Sequence, residues 1–445
     1  MKYLYFLTVI TSLSVFVPSC REQHKKADTA TLNNPEFLHR GIGRLNEVVI
    51  YEIFSPPVAS RIYGYASLSA YEALRWSDTS YPSLAAQLKG FPEMPRPEQG
   101  KEYAFTVSAV KALFDITLRL TFTKDSSRIT METLLKELKE AGIDDETYNR
   151  SVAFGEAVAG AVWARAGSDN YKETRGMPRY TPSGKPGTWK NTPPDYLDAV
   201  EPFWTKMKPL VMDSSSQFRP VPPPPFDLNT SSAFYKELKE VLDSTRNLGE
   251  EQKNIARFWD DNAAAVTHVG HMMFANKKPS PGGHWMNITA LACRKSNADI
   301  LRSAQAYAMT GIAMYEAFLS CWDEKYRSEY IRPVTAINES VDRSWKPFLQ
   351  TPPFPEYTSG HSVVSSSIAT VLTRQFGDNF AFTDDYEMPY IGIERSFPSF
   401  IKASEEACIS RLYGGIHFRS AIENGKTQGR KLGAYILDRV KIRAL

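Results

Sequence analysis

Apolar residues recur at three- and four-residue spacing in nine segments of the chain, and this spacing predicts amphipathic helices. Alternation of apolar and polar residues, which would predict strands, is not convincing anywhere along the chain. The pattern therefore predicts an all-α fold. The segments are residues 61–76, 102–120, 127–142 and 149–167 in the first half, and 231–248, 250–261, 298–322, 361–376 and 418–440 in the second.

A long segment without this periodicity, residues 168–229, separates the two groups of helices and contains the run PVPPPP at 220–225. Irregular segments of this length are uncommon inside compact domains unless they have a function. We expect this one both to cover part of the protein and to join two helical halves, residues 38–225 and 226–445. The most apolar segment, residues 306–322, contains Glu316 and many small residues, which favours a buried core helix over a membrane span.

The composition is that of a soluble globular protein, with 445 residues, 42% hydrophobic and 23% charged. That length exceeds one typical core and agrees with two packed halves. The formal net charge is only +3, and no lysine- or arginine-rich run dominates any segment. Nucleic acid is therefore not an expected partner.

The N-terminus has a different composition from the rest of the chain. Residues 1–20 contain one early lysine, a mostly apolar stretch and the sequence VPSC, which together predict a secretory signal. Because the signal ends on Cys20, it resembles a bacterial lipoprotein signal, followed by a polar tether at residues 21–37. An ordinary signal peptide is the alternative. We expect an exported outer-membrane or periplasmic lipoprotein, with the cell surface as a further candidate, that contacts the membrane only through a lipid on Cys20.

Three cysteines remain if Cys20 carries a lipid: Cys293, Cys321 and Cys408. Their number is odd and no pair has CxxC spacing, so buried free thiols are the expected state. One disulfide is permitted in an oxidising compartment, but the spacing selects no pair. Zinc bound by cysteine is excluded.

Candidate chemistry is concentrated in three short stretches of the second half. They are K-x6-RP at residues 325–333, SGH at 359–361 before a predicted helix, and SR-x5-H at 410–417. Taken singly, each has an ordinary structural explanation, such as a helix cap or cations near a helix end. Together they supply three cations, a hydroxyl, a backbone N–H at a helix start and two imidazoles. This set suits a tetrahedral oxyanion, with one imidazole to bond the central atom and one to move protons.

The order of these motifs resembles the superfamily that unites vanadium-dependent haloperoxidases with type 2 phosphatidic acid phosphatases and bacterial acid phosphatases. The second half is most similar to the soluble haloperoxidases, the exported bacterial iodoperoxidases in particular. The resemblance implies two helical bundles, of which the second carries a vanadate cofactor. It also implies that hydrogen peroxide oxidises a halide to hypohalous acid, with iodide as the first candidate and bromide as the second.

The resemblance implies a role for each matching residue. His417 would be the axial ligand of the metal, vanadium, and His361 the acid–base residue, oriented by Asp261. Lys325 would also act catalytically, by polarising bound peroxide. The remaining roles are neutralisation of the vanadate oxygens by Lys325, Arg332 and Arg411, hydrogen bonding to them by Ser359 and Gly360, and the halide side of the site for Trp322 and Phe354.

Two positions depart from the family pattern. Thr358 stands where the family usually has proline, and Ala421 stands where an acidic residue usually partners an active-site arginine. The change at Ala421 puts the tuning of the site in doubt.

Three other functions are weighed against the haloperoxidase. In a phosphatase, His417 would attack phosphorus and His361 would protonate the leaving group. A surface lipoprotein that binds an anion without catalysis would leave His361 and Asp261 without a purpose. A divalent metal site at His268 and His271, with Asp261 or His284, lacks a third ligand at fixed spacing.

Overall fold

The computed structural model describes residues 28–263 and 265–443, and these are mainly helical. The predicted signal peptide, Cys20 and residues 21–27 of the predicted tether lie outside the described residues. The helices up to residue 175 are α1 (Thr29–Leu32), α2 (Glu36–Tyr51), α3 (Pro56–Leu74), α4 (Phe105–Leu120), α5 (Asp125–Glu140), α6 (Asp145–Gly167) and α7 (Tyr171–Arg175). Short 3-10 helices span Arg75–Ser77, Ala85–Gln87 and Trp204–Lys206.

The second half contains the remaining helices and two small hairpins. The helices are α8 (Ala233–Arg246), α9 (Glu250–Phe258), α10 (Pro281–Lys295), α11 (Ile300–Ser328), α12 (Pro333–Ser340), α13 (Gly360–Phe376), α14 (Met388–Ile391), α15 (Phe400–Tyr413) and α16 (Arg419–Arg439). Strands β1 (Val266–Val269) and β2 (Met272–Ala275) pair antiparallel, as do β3 (Phe382–Asp384) and β4 (Arg395–Phe397). The prediction of an all-α fold is confirmed, because these short strands are peripheral additions to the helices.

All nine predicted helices are present. Among the helices that the pattern missed, α2 contains glycine, and α10 and α12 begin at proline. Helix α2 carries two glycines and begins inside the segment predicted as a polar tether, so residues 28–37 are folded. Helix α10 starts with Pro281 and two glycines. A side chain at Gly282 would meet the Met314 sulfur at 2.5 Å, so this glycine serves close packing inside a helix instead of marking a loop.

One hydrophobic core contains residues of both halves, with α3 and α11 packed against each other in it. Their backbones touch at a glycine pair, where a Cβ on Gly311 would lie 2.9 Å from the Gly64 Cα. Helix α11 is buried along most of its length, which confirms the prediction of a core helix at residues 306–322. None of the described helices is long and apolar enough to cross a membrane.

Close packing of α16 on α13 brings two of the three candidate motifs together. A Cβ on Gly429 would lie 2.2 Å from the Val363 carbonyl oxygen of α13, so α16 can approach α13 this closely only with glycine there. The Ser359 backbone N–H donates to the Ala421 carbonyl at 3.1 Å. The SGH motif at the start of α13 is therefore next to the loop that leads from α15 into α16 and carries His417.

The irregular passage between residues 168 and 229 lies over this region. The backbone N–H of Val200 donates to the Pro353 carbonyl at 3.0 Å, and the Tyr357 hydroxyl donates to the Val221 carbonyl. These contacts agree with the expectation of a covering segment. Elsewhere, Cys293, Cys321 and Cys408 are buried free thiols, as expected.

Candidate active site

A cavity of about 140 Å³ lies where the three motifs meet. Its polar wall comes from the second half and its apolar mouth partly from the first, through Ile53, Pro56 and Val200. The predicted site residues that line it are Asp261, Trp322, Phe354, Gly360, His361, Arg411 and His417. Lys325 and Arg332 lie directly behind this wall, with Nζ and Cζ 5.0 and 5.1 Å from the centre of the Phe354 ring.

Lys325, Arg332 and Arg411 are fully buried, and among the described residues none of them has a carboxylate within ion-pair distance. Backbone carbonyls hold them instead. The Lys325 ammonium donates to the carbonyls of residues 355, 356 and 358 at 2.6–3.0 Å. Arg332 donates to the carbonyls of residues 354 and 416, both at 2.8 Å, and Arg411 to that of residue 259 at 2.7 Å.

Three buried cations without an ion-pair partner favour the entry of an anion, since burying unpaired charge is costly. Burial lowers the pKa of Lys325 to about 7 and that of Arg332 to about 10, and it also lowers the pKa of Arg411. The Arg332 Nη2 atom is buried and has no hydrogen-bond partner among the described residues. The donors present therefore fit an oxyanion with several negatively charged oxygens.

His417 turns one ring nitrogen toward a carboxylate and the other toward the cations. Its Nδ1 lies 2.9 Å from Glu356 Oε1, and its Nε2 lies 3.3 Å from Arg332 Nη1. Burial and the nearby cations Arg332, Lys325 and Arg411 hold the pKa of His417 well below its usual value. The ring is therefore neutral, and the Nε2 lone pair on the side of the cations can act as a ligand or as a nucleophile.

Sequence reasoning missed Glu356. Its carboxylate is fully buried, and Oε1 also accepts a hydrogen bond from the Phe418 N–H at 2.8 Å. Burial raises the pKa of Glu356 to about 8, against the opposing effect of Arg332. The one available signal was an acidic residue inside the otherwise apolar stretch PPFPEY before the SGH motif.

His361 is on the same cavity, and its closest carboxylate is Asp261, as predicted. His361 Nε2 lies 3.6 Å from Asp261 Oδ2, which is longer than a hydrogen bond. Burial, followed by Arg411, lowers the pKa of His361 to about 4. The ring is therefore neutral in the absence of an anion. An acid–base residue that must first accept a proton has to be neutral in this way.

A second histidine, His284, contacts the other carboxylate oxygen of Asp261. Its Nδ1 lies 3.0 Å from Asp261 Oδ1, and its Nε2 lies 2.9 Å from Asp384 Oδ2. Burial lowers the pKa of His284, but the two carboxylates more than offset burial and raise that pKa well above its usual value. Sequence reasoning considered His284 only as a metal ligand and did not identify Asp384, because this bridge joins three segments distant in sequence.

Trp322 and Phe354 form an aromatic wall of the cavity. Their ring centres lie 5.0 Å apart at an interplanar angle of 50°. The Trp322 indole N–H donates to the Val200 carbonyl at 3.2 Å, so the covering segment fixes its orientation. Both side chains line the cavity, and their place on its halide side stays a prediction.

Ser359 and Gly360 differ in their access to the cavity. The Ser359 hydroxyl accepts from the Ser362 N–H at 3.3 Å and caps α13, which is the ordinary helix-cap explanation considered for this residue. Ser359 does not line the cavity described above, whereas Gly360 does. Gly360 therefore offers a helix-start N–H beside His361.

The other candidate metal ligands do not form one cluster with the site histidines. His268 is exposed on β1, where its Nε2 lies 2.7 Å from Asp195, and His271 is exposed in the turn that follows. Ligand atoms of Asp261, His284 and Glu387 lie within 4.8 Å of one another. Both nitrogens of His284 already contact carboxylates, however, which leaves no free nitrogen for a metal.

Comparison with known proteins agrees with this geometry. The family model of the VCPO second helical-bundle domain matches residues 305–443, whereas a search of curated proteins finds no significant match. Among solved structures, a bacterial vanadium-dependent iodoperoxidase is 46% identical with a TM-score of 0.87, over 92% of this chain and 98% of that one. A bacterial vanadium-dependent chloroperoxidase in holo form is 19% identical with a TM-score of 0.67, over 87% and 93%, and shares the fold. The apo form of a bacterial vanadium-dependent chloroperoxidase is also 19% identical, with a TM-score of 0.66, over 87% of this chain and 94% of that one.

Proposed function

The chain belongs to the vanadium-dependent haloperoxidases, whose cofactor is vanadate, and from this premise we propose that it oxidises iodide with hydrogen peroxide to hypoiodous acid. Bromide is the second candidate substrate. The observation that carries the proposal is the buried group of Lys325, Arg332 and Arg411 around His417 Nε2, since these cations lack a carboxylate ion-pair partner among the described residues.

The histidine, the three basic residues and the helix-start N–H of this site can together hold vanadate. His417 Nε2 would bind vanadium, while Lys325, Arg332 and Arg411 would neutralise its oxygens. The Gly360 N–H at the start of α13 would donate one more hydrogen bond. Bound vanadium supplies Lewis-acid activation of peroxide without a change in its own oxidation state.

His361 would be the residue that transfers protons. It lines the cavity, it is neutral in the absence of an anion, and Asp261 lies close enough to stabilise its protonated form. His361 would therefore accept a proton from hydrogen peroxide as peroxide binds, and return a proton as product leaves. Lys325, next to the Phe354 ring, would exchange one of its three carbonyl acceptors for the oxygen that the halide attacks and donate a hydrogen bond to it.

Iodide is proposed ahead of bromide for two reasons. The 46% identical relative is an iodoperoxidase, and iodide is the halide most easily oxidised. The wall formed by Trp322, Phe354 and Phe318 is aromatic, and a large polarisable anion suits such a surface better than a small, strongly hydrated one.

A phosphatase remains the second candidate, because a neutral His417 with its Nε2 toward three cations also describes a histidine nucleophile. One paired assay separates the two functions. Protein purified without residues 1–20 is loaded with orthovanadate and assayed for triiodide formation from iodide and peroxide, while the vanadate-free form is assayed with p-nitrophenyl phosphate. We expect iodide oxidation that requires vanadate. Phosphate hydrolysis without any vanadate-dependent iodide oxidation would refute the proposal.

We also propose export and lipid attachment at Cys20, supported by the signal-like composition of residues 1–20. Metabolic labelling with a fatty acid tests it. Label in the wild-type chain that disappears in Cys20→Ala is expected, and equal labelling of both would contradict lipid attachment at this residue.

A further inference from the structure

Glu356 is the carboxylate next to the proposed vanadium ligand. Its Oε1 lies 2.9 Å from His417 Nδ1 and accepts from the Phe418 N–H at 2.8 Å, so two donors from adjacent residues converge on one oxygen. The side chain is fully buried, and its Oε2 has no hydrogen-bond partner among the described residues. The contacts with His417 and Phe418 therefore hold the Glu356 side chain in one orientation.

This arrangement fixes which nitrogen of His417 carries the proton. Arg332 Nη1 can only donate, so the His417 Nε2 that faces it is the accepting nitrogen, and the ring proton is on Nδ1, which donates to Glu356 Oε1. Nε2 is then left unprotonated, 3.3 Å from Arg332 Nη1. A ligand histidine needs this tautomer, since only an unprotonated nitrogen can bind the metal.

Glu356 also supplies an acidic side chain where the family pattern leads one to expect one from residue 421. Ala421 is buried in an apolar cluster with Tyr357 and Phe418 and carries no charge. Glu356 approaches the cations from the loop before α13. The carbonyls of residues 355 and 358, which flank it in sequence, accept hydrogen bonds from Lys325. The carboxylate next to the cations thus comes from the loop before α13 and not from α16.

We propose that Glu356 is a positioning residue for vanadate binding: it holds His417 in the tautomer with Nδ1 protonated and directs Nε2 toward the cofactor. This inference rests on the proposed function for the identity of the ligand. Glu356 itself does not line the cavity, so it would act only through His417. Its loss should therefore weaken cofactor binding more than it changes turnover of the loaded enzyme.

The test compares two variants with a matched control. Glu356→Leu removes the acceptor, and Glu356→Gln keeps an oxygen that the Phe418 N–H can orient. Glu316→Gln is the control, because Glu316 is equally buried and accepts from the backbone N–H groups of residues 210 and 212 at 2.6 and 2.8 Å, away from any histidine. Orthovanadate affinity is measured by equilibrium dialysis, folding by thermal unfolding, and the His417 tautomer by ¹⁵N NMR of the vanadate-free protein.

We expect Glu356→Leu to weaken orthovanadate binding by about 10–100-fold, the range typical for loss of a carboxylate behind a ligand histidine. Glu356→Gln should recover most of that loss, the control should bind like wild type, and wild-type His417 should carry its proton on Nδ1. Wild-type affinity in Glu356→Leu, or an equal loss in the control, would overturn the proposal.

The tautomer measurement separates this proposal from the proposed function. If the wild-type protein binds no orthovanadate, the proposed function fails, but the tautomer still tests Glu356. If Glu356→Leu does not fold, Glu356→Gln and the wild-type tautomer decide instead. A wild-type His417 protonated on Nε2 would overturn the role of Glu356 in either case.

Discussion

Two histidines face the same cavity, but their carboxylate partners are arranged differently. His417 has Glu356 at hydrogen-bond distance, 2.9 Å, whereas His361 has Asp261 at 3.6 Å, and Asp261 shares its charge with His284 at 3.0 Å. A histidine that binds a metal must keep the lone pair of one ring nitrogen pointed at the metal, and a hydrogen bond to the other ring nitrogen ensures this. An acid–base residue must gain and lose a proton, and a carboxylate 3.6 Å away can stabilise the protonated ring without fixing its tautomer through a hydrogen bond. This difference supports the proposal that His417 binds the cofactor and that His361 transfers protons.

Removal of His417 should have the largest effect. His417→Ala deletes the proposed vanadium ligand, so vanadate-dependent iodide oxidation should become undetectable and orthovanadate should no longer bind tightly. Triiodide formation and equilibrium dialysis measure the two effects. His268→Ala, which changes an exposed histidine on β1, is the control and should leave both unchanged. Full activity in His417→Ala would show that the ligand assignment is wrong.

Removal of His361 should separate turnover from binding. A positioned acid–base group typically contributes about 10²–10⁴-fold to the rate, so kcat of His361→Ala should fall by that factor. Orthovanadate affinity should change only several-fold, because the cations and His417 remain. Stopped-flow iodide oxidation and dialysis check the two quantities, and a parallel collapse of affinity would remove the distinction between the two histidines.

Removal of His284 should act mainly on stability. His284→Asn leaves Asp261 and Asp384 buried without their shared cation, and breaking a buried ion pair in this way costs about 3–5 kcal/mol. Urea unfolding measures the loss. Asp384→Asn keeps the pair between His284 and Asp261 and should cost less. Equal stability of His284→Asn and wild type would show that the bridge has no structural role.

The pKa values of His361 and His284 should shift in opposite directions. Burial and Arg411 lower the pKa of His361 to about 4, while the flanking carboxylates overcome burial and raise that of His284 well above 6.5. At pH 6 the vanadate-free protein should therefore hold a neutral His361 and a charged His284, which ¹⁵N NMR of the imidazoles distinguishes.

The same shifts fix the pH dependence of stability. Between the ordinary pKa of 6.5 and about 4, the unfolded chain protonates His361 and the folded chain does not, so the contribution of His361 to stability falls as the pH falls. The contribution of His284 is fully present below 6.5 and is lost only as the pH rises through its raised pKa. In His361→Gln, stability should decline less between pH 6.5 and 4 than in wild type. An identical decline would contradict the lowered pKa.

A change in the aromatic wall should have the smallest effect. Phe354→Leu keeps an apolar side chain but removes the ring beside Lys325 and Trp322. We expect kcat/KM for iodide to change a few-fold relative to that for bromide, with orthovanadate affinity unchanged. Phe91→Leu, in the first half, is the control. An unchanged halide ratio would show that Phe354 takes no part in halide selection.

The sequence predicted nine of the described helices and seven of the residues that line the cavity, because both depend on local patterns. Apolar spacing located α11 and α13, and three short motifs identified the cations and both site histidines. It missed α10, where glycines at the helix start serve close packing with α11. It also missed Glu356 and Asp384, whose significance arises only when loops distant in sequence meet. The Ser359 hydroxyl, assigned to the cofactor by resemblance, accepts the cap hydrogen bond of its own helix and keeps a proton to donate, so its role at the cofactor stays a prediction.

The most direct test of the account is a crystal structure of the protein soaked in orthovanadate, with anomalous scattering data collected at the vanadium edge. We predict one vanadium atom bonded to His417 Nε2, with its oxygens facing Lys325, Arg332 and Arg411, and His361 close by but not bonded to the metal. Vanadium bonded to His361, or bound only outside this cavity, would contradict the division of roles between the two histidines.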